Sequence, residues 1–413
     1  MGLVFAAVTC FVFFLLAERV LLRYARKQFS LVIYVNGTRG KSTVTRMIHA
    51  LLRYRGMEVF GKTTGSAARL LLPDGTEKPI LRFGPANIRE QRNVMLMSAF
   101  CGKRQSLKNF KSLFARVRQN NRALVFECNA VQEELQYISA KWLKPDITVI
   151  TNVREDHTHE LGSTEQAARI FAAAVPENST LVTSDGNFMD TWKAAAQQKN
   201  LRLHYVDPDE AGDCAFPENA ACVLAVADCF EINRAEALAS AAAYKPDAGA
   251  FAVYSWNDGS RHIFFADARA ANDTESTSNL SAVTLQTINQ AANARRILLL
   301  INREDRPDRT ELFMRYITSR HKELCFDDYL CLGHIPLSFR TAMKQEAVNC
   351  KILNNIKNLE SVLTESSEQP VCIFAVGNFG GKGKLITHWL ETKRRRPEFR
   401  ELQFKELKFK ELR

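Results

Sequence analysis

Residues 30–42 read SLVIYVNGTRGKS, and this stretch decides the fold. Ser30–Asn36 has the near-continuous apolar character of a strand buried on both faces. Lys41–Arg55 places Met47, Ile48, Leu51 and Leu52 on one helical face, with Gly56 as its stop. Between them lies a short glycine-bounded loop. A strand, a glycine loop and a helix in that order wrap a phosphate: glycines allow the backbone to approach the anion, and the helix N-terminus presents free N–H groups to it. Gly37, Thr38, Arg39, Gly40, Lys41, Ser42 and Thr43 form the expected cradle. Lys41 supplies charge to the β- and γ-phosphates, and Ser42 supplies a hydroxyl to Mg²⁺. The eight-residue Walker pattern is not met, because Val35 stands where its first glycine belongs; the shorter G-T-x-G-K-S form remains. ATP and Mg²⁺ are the expected cofactors.

Outward from this unit, strands and helices alternate. Ala123–Phe126, Asp146–Val153, Leu181–Thr183 and Leu203–Val206 are apolar runs of strand length. Glu133–Leu143, Thr164–Val175 and the alanine-rich Ala220–Ala243 read as helices. This rhythm predicts an α/β fold with a mostly parallel sheet and helices on both faces. The carboxyl ends of such strands share one crevice, so Glu127, closing its strand, is the expected Mg²⁺ ligand. The next strand runs into Thr151-Asn152-Val153-Arg154-Glu155-Asp156-His157, which puts His157 at the same crevice beside Asn152 and Asp156. The texture changes after Lys245. Phe251–Trp256 and His262–Ala266 flank Asn257-Asp258-Gly259, a hairpin signal. Alternation then resumes with a helix near Leu280–Ala291, the strand Ile297–Ile301, a helix over Glu311–Ser319, the strand Val371–Val376 and a helix over Leu385–Leu390.

Composition sets the outer bounds. The 413 residues are 46% hydrophobic and 24% charged, which is globular and enough for two or three domains. The formal net charge of +11 favours anionic partners. Much of that excess flanks the N-terminal apolar run or lies in the last residues, and no nucleic-acid partner is expected. Ten cysteines are scattered with no C-x-x-C pair, the pattern of reduced thiols in a cytoplasmic compartment. Gly2–Ala17 is uncharged and, with Val20–Leu22, nearly reaches the ~20 residues that span a bilayer. Arg19, Arg23, Arg26 and Lys27 follow it, the reverse of a cleavable signal. The positive-inside rule then predicts a single-pass anchor in the cell membrane with the rest of the chain in the cytoplasm. The expected division is an anchor at 1–27, an ATP-binding domain at 28–247, an α/β domain at 248–392 and a basic tail at 393–413. In that tail a five-residue unit repeats, FRELQ, FKELK and FKELR; it reads either as loosely ordered chain or as a contact for anionic lipid or a partner.

The string 152–157 resembles the N-x-x-x-D-H motif of Mur ligases and folylpolyglutamate synthases. Gly37–Ser42, Glu127 and Asn152–His157 match that family in order and spacing. NGTRGKSTVTR at 36–46, KTTG at 62–65, GPANIREQ at 84–91, ECNAVQEE at 127–134 and AANDTEST at 270–277 look like its poly-γ-glutamate synthase branch in particular. The resemblance implies a P-loop central domain and a smaller Rossmann-like C-terminal domain. It implies Lys41, Glu127 and His157 as catalytic, and Ser42, Glu127 and His157 as metal ligands. Asp267, Arg269 and Asn272 would contact the nucleotide. About thirty residues precede the P-loop, so the sugar-nucleotide domain of Mur ligases proper is not expected. Many Mur ligases use a carbamylated lysine after the N-x-x-x-D-H strand, and Thr164–Val175 contains no lysine.

The implied chemistry is carboxylate activation by ATP followed by amide formation with glutamate or a growing γ-linked chain. Arginine suits bidentate carboxylate binding; Arg82, Arg89 and Arg92 with Asn87, and Arg303, Arg306 and Arg309, are the candidates for this acidic substrate. The loop Gly377–Gly383 is either an anion site or a plain turn. Two other classes stay open: a folylpolyglutamate-synthase-like ligase, and a membrane-tethered P-loop NTPase that is not a ligase. The resemblance also implies integral membrane subunits as partners.

Overall fold

The computed structural model describes residues 2–64, 68–82, 87–101, 121–154, 161–212, 216–246, 250–271, 274–288, 294–304, 307–346, 348, 350–364 and 369–402. The chain divides into two compact units, Met1–Asp247 and Ala248–Arg413. His157, Asn272 and Arg306, singled out above, lie outside the described residues, as does the tail from 403 onward.

In the first unit the order is α1 (Gly2–Arg26), β1 (Leu31–Asn36), α2 (Lys41–Tyr54), β2 (Glu58–Thr63), β3 (Arg69–Leu71), β4 (Glu77–Pro79) and α3 (Arg89–Phe100). It continues with β5 (Arg122–Glu127), α4 (Glu133–Leu143), β6 (Ile147–Ile150), α5 (Thr164–Ala174), β7 (Thr180–Thr183), α6 (Met189–Lys199), β8 (Arg202–Tyr205), α7 (Pro217–Asp228) and α8 (Arg234–Ala241). The strands form one sheet in the order β4-β3-β2-β5-β1-β6-β7-β8. From β2 to β8 all pairings are parallel, and β3 and β4 extend the edge antiparallel. The parallel α/β architecture is as the alternation predicts.

Each face of the sheet has its own core. Ile33, Val35, Val125 and Val149 pack on one side against Val44, Ile48 and Leu51 of α2 and the alanine-rich α7. Tyr34, Leu124 and Phe126 face the other side, against Val94, Met95 and Ala99 of α3 and Leu22 and Ala25 of α1. Burying each large aliphatic side chain contributes roughly 1.5–3 kcal/mol before entropy is charged against it.

Three local readings change. Ala220–Ala243 is two helices, not one. The chain turns at Glu231, with φ of 52°, and Asn233 restarts the helix by accepting from the N–H groups of Ala235 and Glu236. The anchor does not stop at 27 as a separate piece. The one helix α1 is exposed along Val4–Leu16, yet its last turn buries Leu22 and Ala25. Arg26 closes that turn with two 2.8 Å bonds to Asp146, whose carboxylate also accepts from Val32 N–H at 2.7 Å. Finally, Arg400–Leu402 is a strand and not tail.

The second unit contains β9 (Ala252–Asp258), β10 (Arg261–Asp267), α9 (Thr274–Ile288), β11 (Arg295–Ile301), α10 (Pro307–Leu324), β12 (Asp328–Leu332) and α11 (Leu337–Gln345). Then come β13 (Cys350–Leu353), α12 (Ile356–Thr364), β14 (Val371–Gly377), α13 (Gly383–Lys393) and β15 (Arg400–Leu402). The sheet order is β13-β12-β11-β14-β10-β9-β15. The hairpin expected at Asn257–Gly259 joins β9 and β10, with Gly259 at φ of 67° in the turn.

Candidate active site

β1 and β6 end side by side, so the loop after β1 must pass close to the loop after β6. Gly37 makes this possible. Its φ is +117°, and a Cβ there would lie 2.3 Å from Thr151 Oγ1. Gly40, at φ +78°, opens α2, and a Cβ would fall 2.0 Å from Asn219 Oδ1. Both glycines therefore answer a steric demand as well as a conformational one.

The loop is braced by the first half of the N-x-x-x-D-H string. Asn152 accepts from Thr38 N–H through its carbonyl at 2.8 Å and from Arg39 N–H through its side chain at 2.9 Å. Thr151 Oγ1 donates to Arg39 O at 2.5 Å. Glu218, at the start of α7, takes Asn152 Nδ2 at 3.1 Å and Arg154 at 2.7 Å. Lys41 Nζ donates to Gly37 O at 2.7 Å and Thr38 O at 2.9 Å, so its ammonium sits at the mouth of the loop.

Glu127 stands opposite Val35 in the strand register and is 3% exposed. Its Oε2 accepts from Ser42 Oγ at 2.8 Å and from Thr64 N–H at 2.6 Å. One carboxylate thus joins β5, the first turn of α2 and the end of β2. A serine hydroxyl and a carboxylate side by side are hard oxygen donors of the type Mg²⁺ takes. The glycine cradle, with loop N–H groups and Lys41 around it, fits a nucleotide phosphate. These residues therefore fit ATP–Mg²⁺. Among the described residues no group of three or more His, Cys, Asp or Glu side chains forms a metal cluster.

Next to Glu127 lies a residue that the sequence reading quoted only as the first of KTTG and gave no role. Lys62 on β2 is fully buried, and its Nζ lies 3.6 Å from Glu90 Oε2. Burial pushes its ammonium down to about 8, against the opposing pull of Glu90 and Glu127. Burial alone would raise the Glu90 carboxyl. The hydrogen bonds of Arg82 and the charge of Lys62 overcome that and hold it below the usual range. Arg82, one of the arginines expected at the substrate, is bound to Glu90 at 2.6 and 3.0 Å. Arg92 pairs with Glu18 of α1. Arg89 is exposed. Asn87, just before α3, accepts from Arg89 N–H through its side chain at 2.9 Å, and its carbonyl accepts from Asn129 at 3.0 Å. Asn87 and Ile88 on one side, and Asn129, Val131, Gln132 and Leu135 on the other, line a cavity of about 300 Å³.

In the second unit Asp267 and Arg269 are both buried and face each other, with bonds of 2.7 and 2.6 Å. Arg269 also reaches Gly383 O and Thr387 Oγ1, and stacks 4.7 Å from the Phe379 ring centre. The two residues thus hold the Gly377–Gly383 loop to the end of β10. Gly377, at φ +102°, passes Ile301 O so closely that a Cβ would lie 2.3 Å from it. Gly380 and Gly381 leave room for the Arg303 side chain, and Arg309 donates to Asn378 Oδ1 at 3.2 Å.

Comparison with known proteins follows the same outline. Residues 35–220 match the Mur ligase middle domain, and residues 253–393 match the poly-gamma-glutamate synthase CapB C-terminal domain. The chain is 32% identical over 368 residues to the capsule biosynthesis protein CapB of Bacillus anthracis, covering 84% of this chain and 74% of that protein. It is 33% identical over 294 residues to the PGA synthase CapB of Bacillus subtilis (strain 168), covering 68% and 70%. In fold it is similar to MurF from Acinetobacter baumannii, with a TM-score of 0.60 at 15% identity over 91% of this chain and 80% of that one. It is also similar to E. coli FolC in complex with ADP, with a TM-score of 0.55 at 16% identity over 91% and 94%.

Proposed function

The chain belongs to the Mur ligase family, in its CapB-type poly-γ-glutamate synthase branch, and from this premise we propose that it is an ATP-dependent, ADP-forming ligase joining glutamate units through γ-amide bonds. The observation that carries the reading is the Ser42–Glu127 contact beside the Gly37–Gly40 cradle. It supplies, at the carboxyl ends of the central strands of one sheet, a phosphate-binding loop and an oxygen pair for its metal.

The loop N–H groups and Lys41 bind and orient the phosphates of ATP, and Ser42 and Glu127 would hold Mg²⁺. The metal, when bound, neutralises charge on the phosphates. Positioning and charge stabilisation carry phosphoryl transfer, so a rigid cradle is the main requirement. A substrate carboxylate oxygen bonds to the γ-phosphorus as the bond to ADP breaks, leaving an acyl phosphate. The amine of the incoming unit then bonds to the acyl carbon, phosphate departs, and the surplus amine proton is released. Asn87, which lines the cavity after β5, and the exposed Arg89 two residues on are the residues we assign to the glutamyl substrate. His157 is assigned as a further metal ligand from its place in the N-x-x-x-D-H string.

α1 is apolar and long enough to cross a membrane, and we assign it as the anchor of a cytoplasmic enzyme at the cell membrane. A lone helix offers a polyanion no polar route across the bilayer. Export of such a product therefore calls for an integral membrane partner. The test is stoichiometry. Membrane-bound protein given ATP, Mg²⁺ and glutamate or a γ-glutamyl oligomer should release ADP and phosphate together, only when the amino-acid substrate is present. Turnover independent of that substrate would mark an NTPase and sink the ligase reading.

A further inference from the structure

We propose that Lys62 is a positioning residue of the ligase reaction, holding the Asn87–Gln91 segment against the end of β5 so that the cavity beside Glu127 keeps the shape that seats the γ-glutamyl acceptor. Its kinetic part rests on the ligase reading; its structural part does not.

Lys62 pairs in register with Phe126, one residue before Glu127. It is 0% exposed, and among the described residues its Nζ has no hydrogen-bond partner. An ammonium in that state is expensive to bury, and a methionine would fill much of the same space without the charge. Core packing therefore does not account for it. What it has is charge, directed at Glu90 at 3.6 Å. Glu90 is in the first turn of α3 and is gripped from its other side by Arg82. Its neighbour Gln91, 0% exposed, donates to Glu127 O at 2.7 Å and to Asn129 Oδ1 at 3.2 Å. The start of α3 is thus tied to the sheet at two points, one ionic through Lys62 and one through an amide.

Those ties set the cavity walls. Asn87 and Ile88 immediately precede α3, and Asn129, Val131 and Gln132 immediately follow β5. The lining carries amides and apolar groups but no charge. That chemistry suits the CH₂–CH₂–amide repeat of a γ-linked chain, with the exposed Arg89 nearby for a free carboxylate. Loosening the wall spoils the acceptor's seat and leaves the phosphate cradle, held by Asn152 and Thr151, as it is.

The experiment compares full-length wild type with Lys62→Met. Hydrogen–deuterium exchange in Asn87–Met95 should quicken in the variant, with residues 36–46 unchanged. The Michaelis constant for a γ-glutamyl oligomer should rise about tenfold or more, while that for ATP stays within about twofold and the thermal midpoint holds. Unchanged exchange in Asn87–Met95 would overturn the proposal in any preparation, active or not. So would an unchanged acceptor Michaelis constant in active enzyme. A collapse of thermal midpoint and ATP affinity together would show an ordinary structural lysine, also overturning it. Wild type that exchanges as expected but shows no acceptor-dependent turnover counts against the ligase reading alone.

Discussion

His49 shows how a residue can matter through what it must not do. It is 5% exposed on α2, with its Nε2 3.1 Å from Val59 O. Burial, aided by Arg53 and Arg46 and opposed by the Val59 contact and Glu77, lowers its pKa to about 4. The folded value lies below the ordinary one, so its contribution is complete above pH ~6.5 and is lost as pH falls toward 4. The loss should reach about 3 kcal/mol at its limit. In urea titrations at pH 7 and 4.5, His49→Leu should show a smaller acid-induced drop than wild type; an equal drop would place the acid sensitivity elsewhere. Gly37→Ala is the sharper case, since the new Cβ meets Thr151 Oγ1 at 2.3 Å at a φ of +117°. It should lose Mg²⁺-dependent ATP binding and cost roughly 1–3 kcal/mol in stability. Binding by calorimetry at wild-type strength would show that the loop tolerates displacement. Among single residues, Lys41, Ser42 and Glu127 were legible, because local order along the chain puts them at a strand end or helix start. Lys62 was not, because its meaning depends on Glu90, a residue with no sequence relation to it.

At the scale of elements, caps and helix ends decide what periodicity cannot. The alanine-rich run 220–243 has no hydrophobic interruption, yet Asn233 divides it by capping Ala235 and Glu236. Asn233→Ala should cost about 1 kcal/mol, read from the urea midpoint, with activity kept; a null result would mean that packing of α8 alone sets the break. α1 is likewise two things in one helix. Its first turns present Phe5, Phe11, Phe13 and Phe14 outward, and its last turn belongs to the core through Leu22, Ala25 and Arg26. Removing residues 2–17 should leave a folded nucleotide-binding chain. Removing 2–27 deletes the buried Leu22 and Ala25 along with the Arg26–Asp146 pair, and should cost several kcal/mol. Equal thermal midpoints for the two truncations would show that the last turn is dispensable.

Across the whole molecule, the two units solve the problem of sheet edges differently. In the second, the chain returns after α13 to lay Arg400–Leu402 antiparallel along β9, covering that edge. Phe399 leads it in, stacked 5.4 Å from the Tyr254 ring and 6.0 Å from Trp256. Phe399→Ala should therefore destabilise the second unit by about 2–4 kcal/mol, visible as an earlier melt with ATP binding by the first unit intact; no change would return the residue to the tail. The first copy of the FxELx repeat is thus a structural strand, which a five-residue period could not reveal, since period alone does not say which edge lies open. The sequence by itself determined the α/β class, the glycine loop between β1 and α2, and the order of strand-end residues. These follow from apolar periodicity and glycine placement, which act between near neighbours along the chain. Tertiary structure alone decided which charges face one another: Arg82 with Glu90, Asp267 with Arg269 around a glycine loop, and the buried Lys62 with Glu90. The physical reason is that desolvation and ion pairing depend on what surrounds a group in space, and for Lys62 that includes Glu90, a residue on another element well along the chain.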